Sequence, residues 1–250
     1  MIFKTFTLRR ASVLIFLTLF IVCRGFAQNQ NDGANINLLD DVISQYHSSV
    51  IGISKTDLIK GQEAMKTYLL NLYGNRNKLL NYKSHFTIPV YELLEYEIGL
   101  SQTENDNQFA HLIIWSKENG SKQRIAEVIF EKSIEKGDDI PNELAKAREK
   151  WMKLCNSNKS GKLVKELYTE NAIYFNRGRI LRGHTQLANE YSYMDSPTYK
   201  LQLKPEHIEM VSEDIIFEIG MCSGSYPLPY VLVWNKQPDG VWKIYFDSNY

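Results

Sequence analysis

Clustered histidine, paired cysteine motifs and glycine-rich loops are all missing from this chain, and each absence removes a class of chemistry. The five histidines, His47, His85, His111, His184 and His207, are scattered through 250 residues. They offer no ligand spacing for zinc or iron, so no metal site and no cofactor are expected. Ser223-Gly224-Ser225 is a lone small-residue turn with no helix after it to supply a dipole, which leaves no phosphate cradle. There is no G-x-S-x-G and no Cys–His arrangement for nucleophilic catalysis. Basic charge is not in excess either: 29 Lys and Arg balance 29 Asp and Glu. Nucleic-acid binding leans on phosphate neutralisation, and a chain without a basic stripe argues against it.

The N-terminus has no acid and a short apolar run. Met1–Arg10 carries Lys4, Arg9 and Arg10, Ala11–Val22 is apolar, and Gly25-Phe26-Ala27 places small residues where a signal peptidase reads. Residues 1–27 are therefore expected to be a signal peptide cut between Ala27 and Gln28, making the protein exported, periplasmic or secreted. A retained membrane span needs roughly 20 apolar residues, more than this run holds. Val22 stands before Cys23 where a lipoprotein signal wants a small residue. Cleavage leaves 25 basic against 29 acidic residues and two cysteines, Cys155 and Cys222. These either pair in an oxidising compartment or stay as buried thiols.

What the chain does contain is alternating aromatic and β-branched residues, written twice. Val231–Asn249 reads as two strands reversed at Pro238, Asp239 and Gly240, a hairpin rich enough in Val, Ile and aromatics to sit at a sheet centre. Ile113–Val128 echoes it, with Trp115, Lys117 and Asn119-Gly120 falling where Trp234, Lys236 and Asp239-Gly240 fall later. Adding 122 to Tyr46, Ile51 and Gly61 lands on Tyr168, Ile173 and Gly183, and Glu97-Ile98-Gly99 matches Glu218-Ile219-Gly220 at 121. Helical spacing predicts helices at Leu38–Tyr46, Glu63–Tyr73, Glu143–Cys155 and Gly161–Tyr168. Each copy continues as an antiparallel meander. The expected organisation is a polar, disordered lead-in at 28–37, a first copy at 38–131, a charged linker at 132–140 and a complete copy at 141–250. Only the second copy begins with the long helix Glu143–Cys155. The first therefore looks truncated, with an apolar sheet face that the long helix or another molecule should cover.

In the second copy Trp151, Leu167-Tyr168, Asn171-Ala172, Gly183, Trp234-Asn235-Lys236, Asp239-Gly240 and Trp242-Lys243-Ile244 together resemble the nuclear transport factor 2-like superfamily, in its SnoaL-like or ketosteroid-isomerase-like branch. The resemblance implies an α+β fold of tandem cystatin-like cones, each a curved antiparallel sheet wrapped around helices. It also implies an apolar pocket, frequent dimers, and functions from isomerases to non-catalytic binders. The family's base position falls on Asn176, or Ser54 in the first copy, and its acid position on about Leu232. None of these moves a proton near neutral pH.

The candidate catalytic groups are then Glu218 and Asp247. Glu218 shares a strand face with Ile216, Gly220 and Cys222, small or apolar neighbours that would leave space beside it; the plainer alternative is a rim carboxylate paired across strands. Asp247 ends the last strand, either at a cone mouth or simply solvated. Trp151, Tyr174, Asn176, Tyr230 and Trp234 are candidate ligand-lining residues, with plain core as the alternative. A lone histidine such as His207 reads as structural. These residues lead to an exported, non-catalytic binder of a small apolar molecule or partner protein, with a homodimer through the sheet and no membrane contact after cleavage. The alternatives are a SnoaL-like isomerase or hydrolyase, and a structural pseudo-dimer.

Overall fold

The computed structural model describes residues 38–55, 57–74, 78–133, 140–176 and 178–249. The expected signal peptide, the lead-in and most of the charged linker lie outside the described residues. The first copy contains α1 (Leu38–Ser44), β1 (Tyr46–Ile53), β2 (Leu58–Lys60), α2 (Gln62–Tyr73), β3 (Leu79–Val90), β4 (Leu94–Thr103), β5 (Gln108–Ser116) and β6 (Gln123–Lys132). The second contains α3 (Asn142–Asn156), α4 (Ser160–Leu167), β7 (Tyr168–Asn176), β8 (Arg179–Arg182), α5 (Gly183–Glu190), a 3-10 segment Tyr191–Asp195, β9 (Leu201–Met210), β10 (Ile215–Gly224), β11 (Pro229–Lys236) and β12 (Trp242–Asn249).

Each copy builds one six-stranded sheet, in the order β2-β1-β6-β5-β4-β3 and β8-β7-β12-β11-β10-β9. The two aromatic hairpins do occupy the sheet centres. One feature departs from a plain meander: β1 runs parallel to β6, and β7 parallel to β12. That pairing explains why Tyr46 and Tyr168, read as helix ends, begin strands instead. Each tyrosine is fully buried on the helix side of its sheet, where tertiary packing overrides helical spacing. Gly61 and Gly183 both have positive φ, 87° and 72°, where the chain turns from β2 or β8 into a helix. Only glycine enters that region without strain, which accounts for its repetition at one offset.

Alternation along the strands gives each sheet two working faces. One face holds its own helices: α3, α4 and α5 over the second sheet, α1 and α2 over the first. The other faces pack on one another. Ile98, Leu112 and Val128 of the first sheet share a buried cluster with Phe217, Val231 and Phe246 of the second. Phe130 meets Phe217 and Tyr245 edge-on, at 6.0 and 6.3 Å between ring centroids. Polar ties pin the rim of this interface: Tyr245 donates to the Ser54 carbonyl at 3.1 Å, and Ser133 N–H to the Val211 carbonyl at 2.9 Å.

The long helix does not cover the first copy, contrary to expectation. It packs on β9 and β12 of its own sheet. The apolar face of the first sheet is covered by the second sheet. Cys155 and Cys222 are both free and buried, and burial pushes the Cys155 thiol up to about 11.

Candidate functional site

Helix α3 organises the interior of the second copy through two residues one turn apart. Arg148 and Trp151 lie on its buried face with Leu144, Ala147, Leu154 and Cys155. Arg148 reaches Glu218 through two parallel bonds, Nε to Oε1 at 2.9 Å and Nη2 to Oε2 at 2.7 Å. Tyr230 donates to the same Oε1 at 2.7 Å and Trp234 Nε1 to Oε2 at 3.0 Å. Glu218 is completely buried. Its two oxygens thus hold four donors, an arrangement that leaves little for a substrate.

The open space expected beside Glu218 is filled. A Cβ on Gly220 would stand 2.5 Å from the Tyr230 ring and 2.4 Å from the Lys204 carbonyl oxygen. The glycine's role is to let that ring lie flat against the strand so its hydroxyl meets the carboxylate. The first copy repeats the device with a tyrosine from another strand. Tyr82 lies over Gly99 and donates to Glu97 at 2.7 Å, while Trp115 Nε1 donates at 2.7 Å. Glu218 is therefore buried rather than at a rim, and its charged partner comes from a helix while its two other donors come from the paired strand β11.

Trp151 leads to the second cluster. Its indole N–H donates to the Tyr168 hydroxyl at 3.2 Å, and Tyr168 donates to Asp247 Oδ2 at 2.7 Å. Tyr191 donates to the same oxygen at 2.5 Å. Asp247 is buried, not solvated at a strand end, and burial pushes its carboxyl up to about 6, with the two tyrosine hydroxyls pulling the other way. Tyr174 lies edge-on to Tyr191, bonds the Asn249 amide oxygen, and accepts from Asn176 Nδ2 at 3.0 Å. Trp151, Tyr174 and Asn176 thus gather on the Asp247 side, and Tyr230 and Trp234 on the Glu218 side. All but the half-buried Asn176 belong to the buried core over the second sheet.

Sequence reasoning missed the counterpart of this cluster in the first copy. Ile51 faces Ala126 and Ile173 faces Phe246, so one residue further Glu127 and Asp247 occupy the same place. Tyr46 bonds Glu127 as Tyr168 bonds Asp247. Glu127 also takes Arg124 Nη1 at 3.0 and 3.1 Å and His111 Nδ1 at 2.7 Å. Burial alone would raise its pKa, but the Arg124 charge and the His111 bond hold it down at about 2. The Arg124 guanidinium itself lies 4.9–5.4 Å from the rings of Trp115, Tyr82 and Tyr46. In the second copy Ile244 stands opposite Tyr168 where Arg124 stands opposite Tyr46, so Asp247 has no such cation. The equivalence was available from the Tyr46/Tyr168 offset; the parallel strand pair that brings each carboxylate to its tyrosine was not.

His207 lies between the two copies. It stacks on Phe86 of the first copy at 5.0 Å and lies 3.6 Å from Glu209, which Lys132 also reaches at 2.8 Å. Among the described residues no group of three or more His, Cys, Asp or Glu is arranged to hold a metal ion. Nor is any described helix long and apolar enough to cross a membrane.

The architecture is α+β, two copies of a unit in which a six-stranded sheet carries helices on one face, the first lacking a counterpart of α3 among its described residues. No family model and no curated protein matches the sequence. Solved structures similar in fold include a domain of unknown function with a cystatin-like fold from Nostoc punctiforme PCC 73102. It is 16% identical, covering 43% of this chain and 75% of that one with a TM-score of 0.36. An NTF-2 like protein of unknown function from Shewanella oneidensis MR-1 is 14% identical over 43% of this chain and 95% of its own, with a TM-score of 0.37. A DUF4783 family protein from Bacteroides fragilis YCH46 is 10% identical over 40% of this chain and its full length, with a TM-score of 0.34. None of these likenesses says what this chain binds or does.

Proposed function

We propose that the protein is an exported, non-catalytic binding module for a small apolar or amphipathic molecule, built as a covalent pseudo-dimer of two cones. The observation that carries this reading is the fate of Glu218, whose oxygens are taken by Arg148, Tyr230 and Trp234. A base needs a free lone pair within reach of a substrate proton, and this carboxylate is spent on holding α3 to the sheet. Export rests on the pattern of residues 1–27.

One observation favours a second reading, an isomerase of the SnoaL-like type. Asp247 has a carboxyl raised to about 6 and two tyrosine donors, a setting in which proton transfer near neutral pH is feasible. The test is deuterium exchange: the mature chain is incubated in D2O with a panel of enolisable ketones and followed by proton NMR. The binding reading expects exchange at the buffer rate. Exchange above that rate, abolished by Asp247→Asn with folding intact, would replace it with the enzymatic one.

A further inference from the structure

A cleft of about 490 Å³ lies at the end of the first sheet, where the second copy reaches over it. Its floor is apolar: Leu72 from α2, Phe109 from β5, Ile129 and Phe130 from β6, and Ile215 from β10. Ile129 belongs to the core beneath α2 and Phe130 to the core between the sheets, so the cleft wraps around the sheet's end. Neither cone alone would form it. The size falls within the roughly 300–1,000 Å³ usual for small-molecule sites.

The walls are fixed before any ligand arrives. Ser54 Oγ accepts the Asp57 N–H at 3.1 Å, and the Ser54 carbonyl is held by Tyr245. On the far wall the Asp214 carbonyl takes the Lys236 N–H at 2.8 Å, and Ser212 Oγ donates to the Asp214 carboxylate at 2.5 Å. Pinned walls reduce the ordering cost of binding. Among the described residues that line it, the rim carries the carboxylates of Glu131 and Asp214, with Asp57 and the cation Lys55 beside them, and Tyr68 completes the lining from α2. A negative rim over an aromatic floor favours a cationic nitrogen on an apolar body. A second cleft, of about 380 Å³, is lined by Asn81, Lys83, His85, Ser101, Gln102 and Gln108 with Leu100 as its apolar residue, and lacks such a floor.

We propose that this inter-copy cleft is the ligand site and that it takes a small amphipathic amine, an aromatic or short alkyl body bearing a positive charge. The proposal rests on reading the chain as a binding module, and names the place and the chemistry.

Three probes with one body and different heads test it: 4-phenylbutylamine, 4-phenylbutanol and 4-phenylbutyrate, titrated into the mature chain by calorimetry and by methyl NMR. Saturable binding is expected in the order amine, alcohol, acid, with the amine about tenfold or more tighter than the acid. Shifts should fall on Ile129 and Ile215 and spare Ile244 in the second cone. Glu131→Gln with Asp214→Asn should bring the amine close to the alcohol and leave the alcohol unchanged. Leu72→Trp should weaken all three; Ser133→Trp, on the exposed lip, should do the same without touching the core. The proposal is overturned if no probe binds saturably, if the acid binds tightest, or if neither tryptophan variant weakens binding. Saturable binding whose shifts fall on Ile244 overturns the cleft and spares the binding reading, whereas Asp247-dependent deuterium exchange overturns that reading by itself.

Discussion

Glu127 and Asp247 stand at one place in two copies of the same unit, each bonded by the tyrosine that opens the neighbouring parallel strand, and they are held in opposite ways. Beside Glu127 the copy supplies Arg124; beside Asp247 it supplies Ile244. A buried carboxylate with a cation stays charged, and one without it is pushed toward neutrality. The two carboxylates should therefore make opposite contributions to stability as pH changes.

For Asp247 the folded carboxyl sits near 6 against an ordinary 3.8. The folded state then binds the proton more tightly than the unfolded chain, so stability is greatest below about pH 4 and falls as pH rises through 6. The two-unit difference corresponds to about 3 kcal/mol. Asp247→Asn, which keeps an oxygen for Tyr168 and Tyr191, should match the wild type in urea unfolding at pH 4 and exceed it at pH 8. Equal midpoints at pH 8 would mean that Asp247 is compensated by a charge elsewhere.

For Glu127 the sign reverses. Its folded pKa of about 2 lies below the ordinary 4.5, so its contribution is present above pH 4.5 and lost as pH falls toward 2. Glu127→Gln at pH 7 leaves the buried Arg124 without its counter-charge, and a loss of about 3–5 kcal/mol is expected. Combining it with Arg124→Ile, the residue type found at the equivalent position, should recover part of that loss. A double variant whose loss equals the sum of the single ones would show that the two residues are not coupled.

The Arg148–Glu218 pair predicts a different pattern, because it joins a helix to a sheet. Arg148→Met strands Glu218 in the core and should cost about 3–5 kcal/mol, while adding Glu218→Gln should restore much of it. Hydrogen exchange locates the effect. Amides of α3 should lose protection in Arg148→Met while β4 and β5 of the first copy keep theirs, since α3 packs within its own copy.

Much of this architecture was written in the one-dimensional pattern. The offsets linking Tyr46 to Tyr168 and Glu97 to Glu218 marked a duplicated unit, and alternation in Val231–Asn249 marked a two-faced central hairpin. What the pattern withheld is which face meets what. Ile98 and Phe217 read as core whether their partner is a helix, a second chain or, as found, each other. Glu218 and Asp247 were visible as carboxylates at notable positions. Their partners were not, since Arg148 is 70 residues from Glu218, and Tyr168 is 79 and Tyr191 56 from Asp247. Charge and hydroxyl pairs at such separations leave no local period to read.

The two repeated glycines offer the sharpest test of the shared design, because their surroundings differ in one respect. At Gly99 the three atoms nearest to an added Cβ, at 2.1–3.0 Å, belong to the Tyr82 side chain. At Gly220 the Tyr230 ring at 2.5 Å is joined by the Lys204 carbonyl oxygen at 2.4 Å, which is backbone of the paired strand β9. Either glycine replaced by alanine should destabilise by about 1–3 kcal/mol through overpacking. Removing the tyrosine ring relieves the whole clash in one case and half of it in the other. Gly99→Ala should therefore be largely neutral in a Tyr82→Ala background, whereas Gly220→Ala should keep most of its cost in a Tyr230→Ala background. Thermal unfolding of the two double-mutant cycles measures this directly. Equal rescue at both sites would mean that β9 yields to the added methyl group and that the ring alone fixes the glycine.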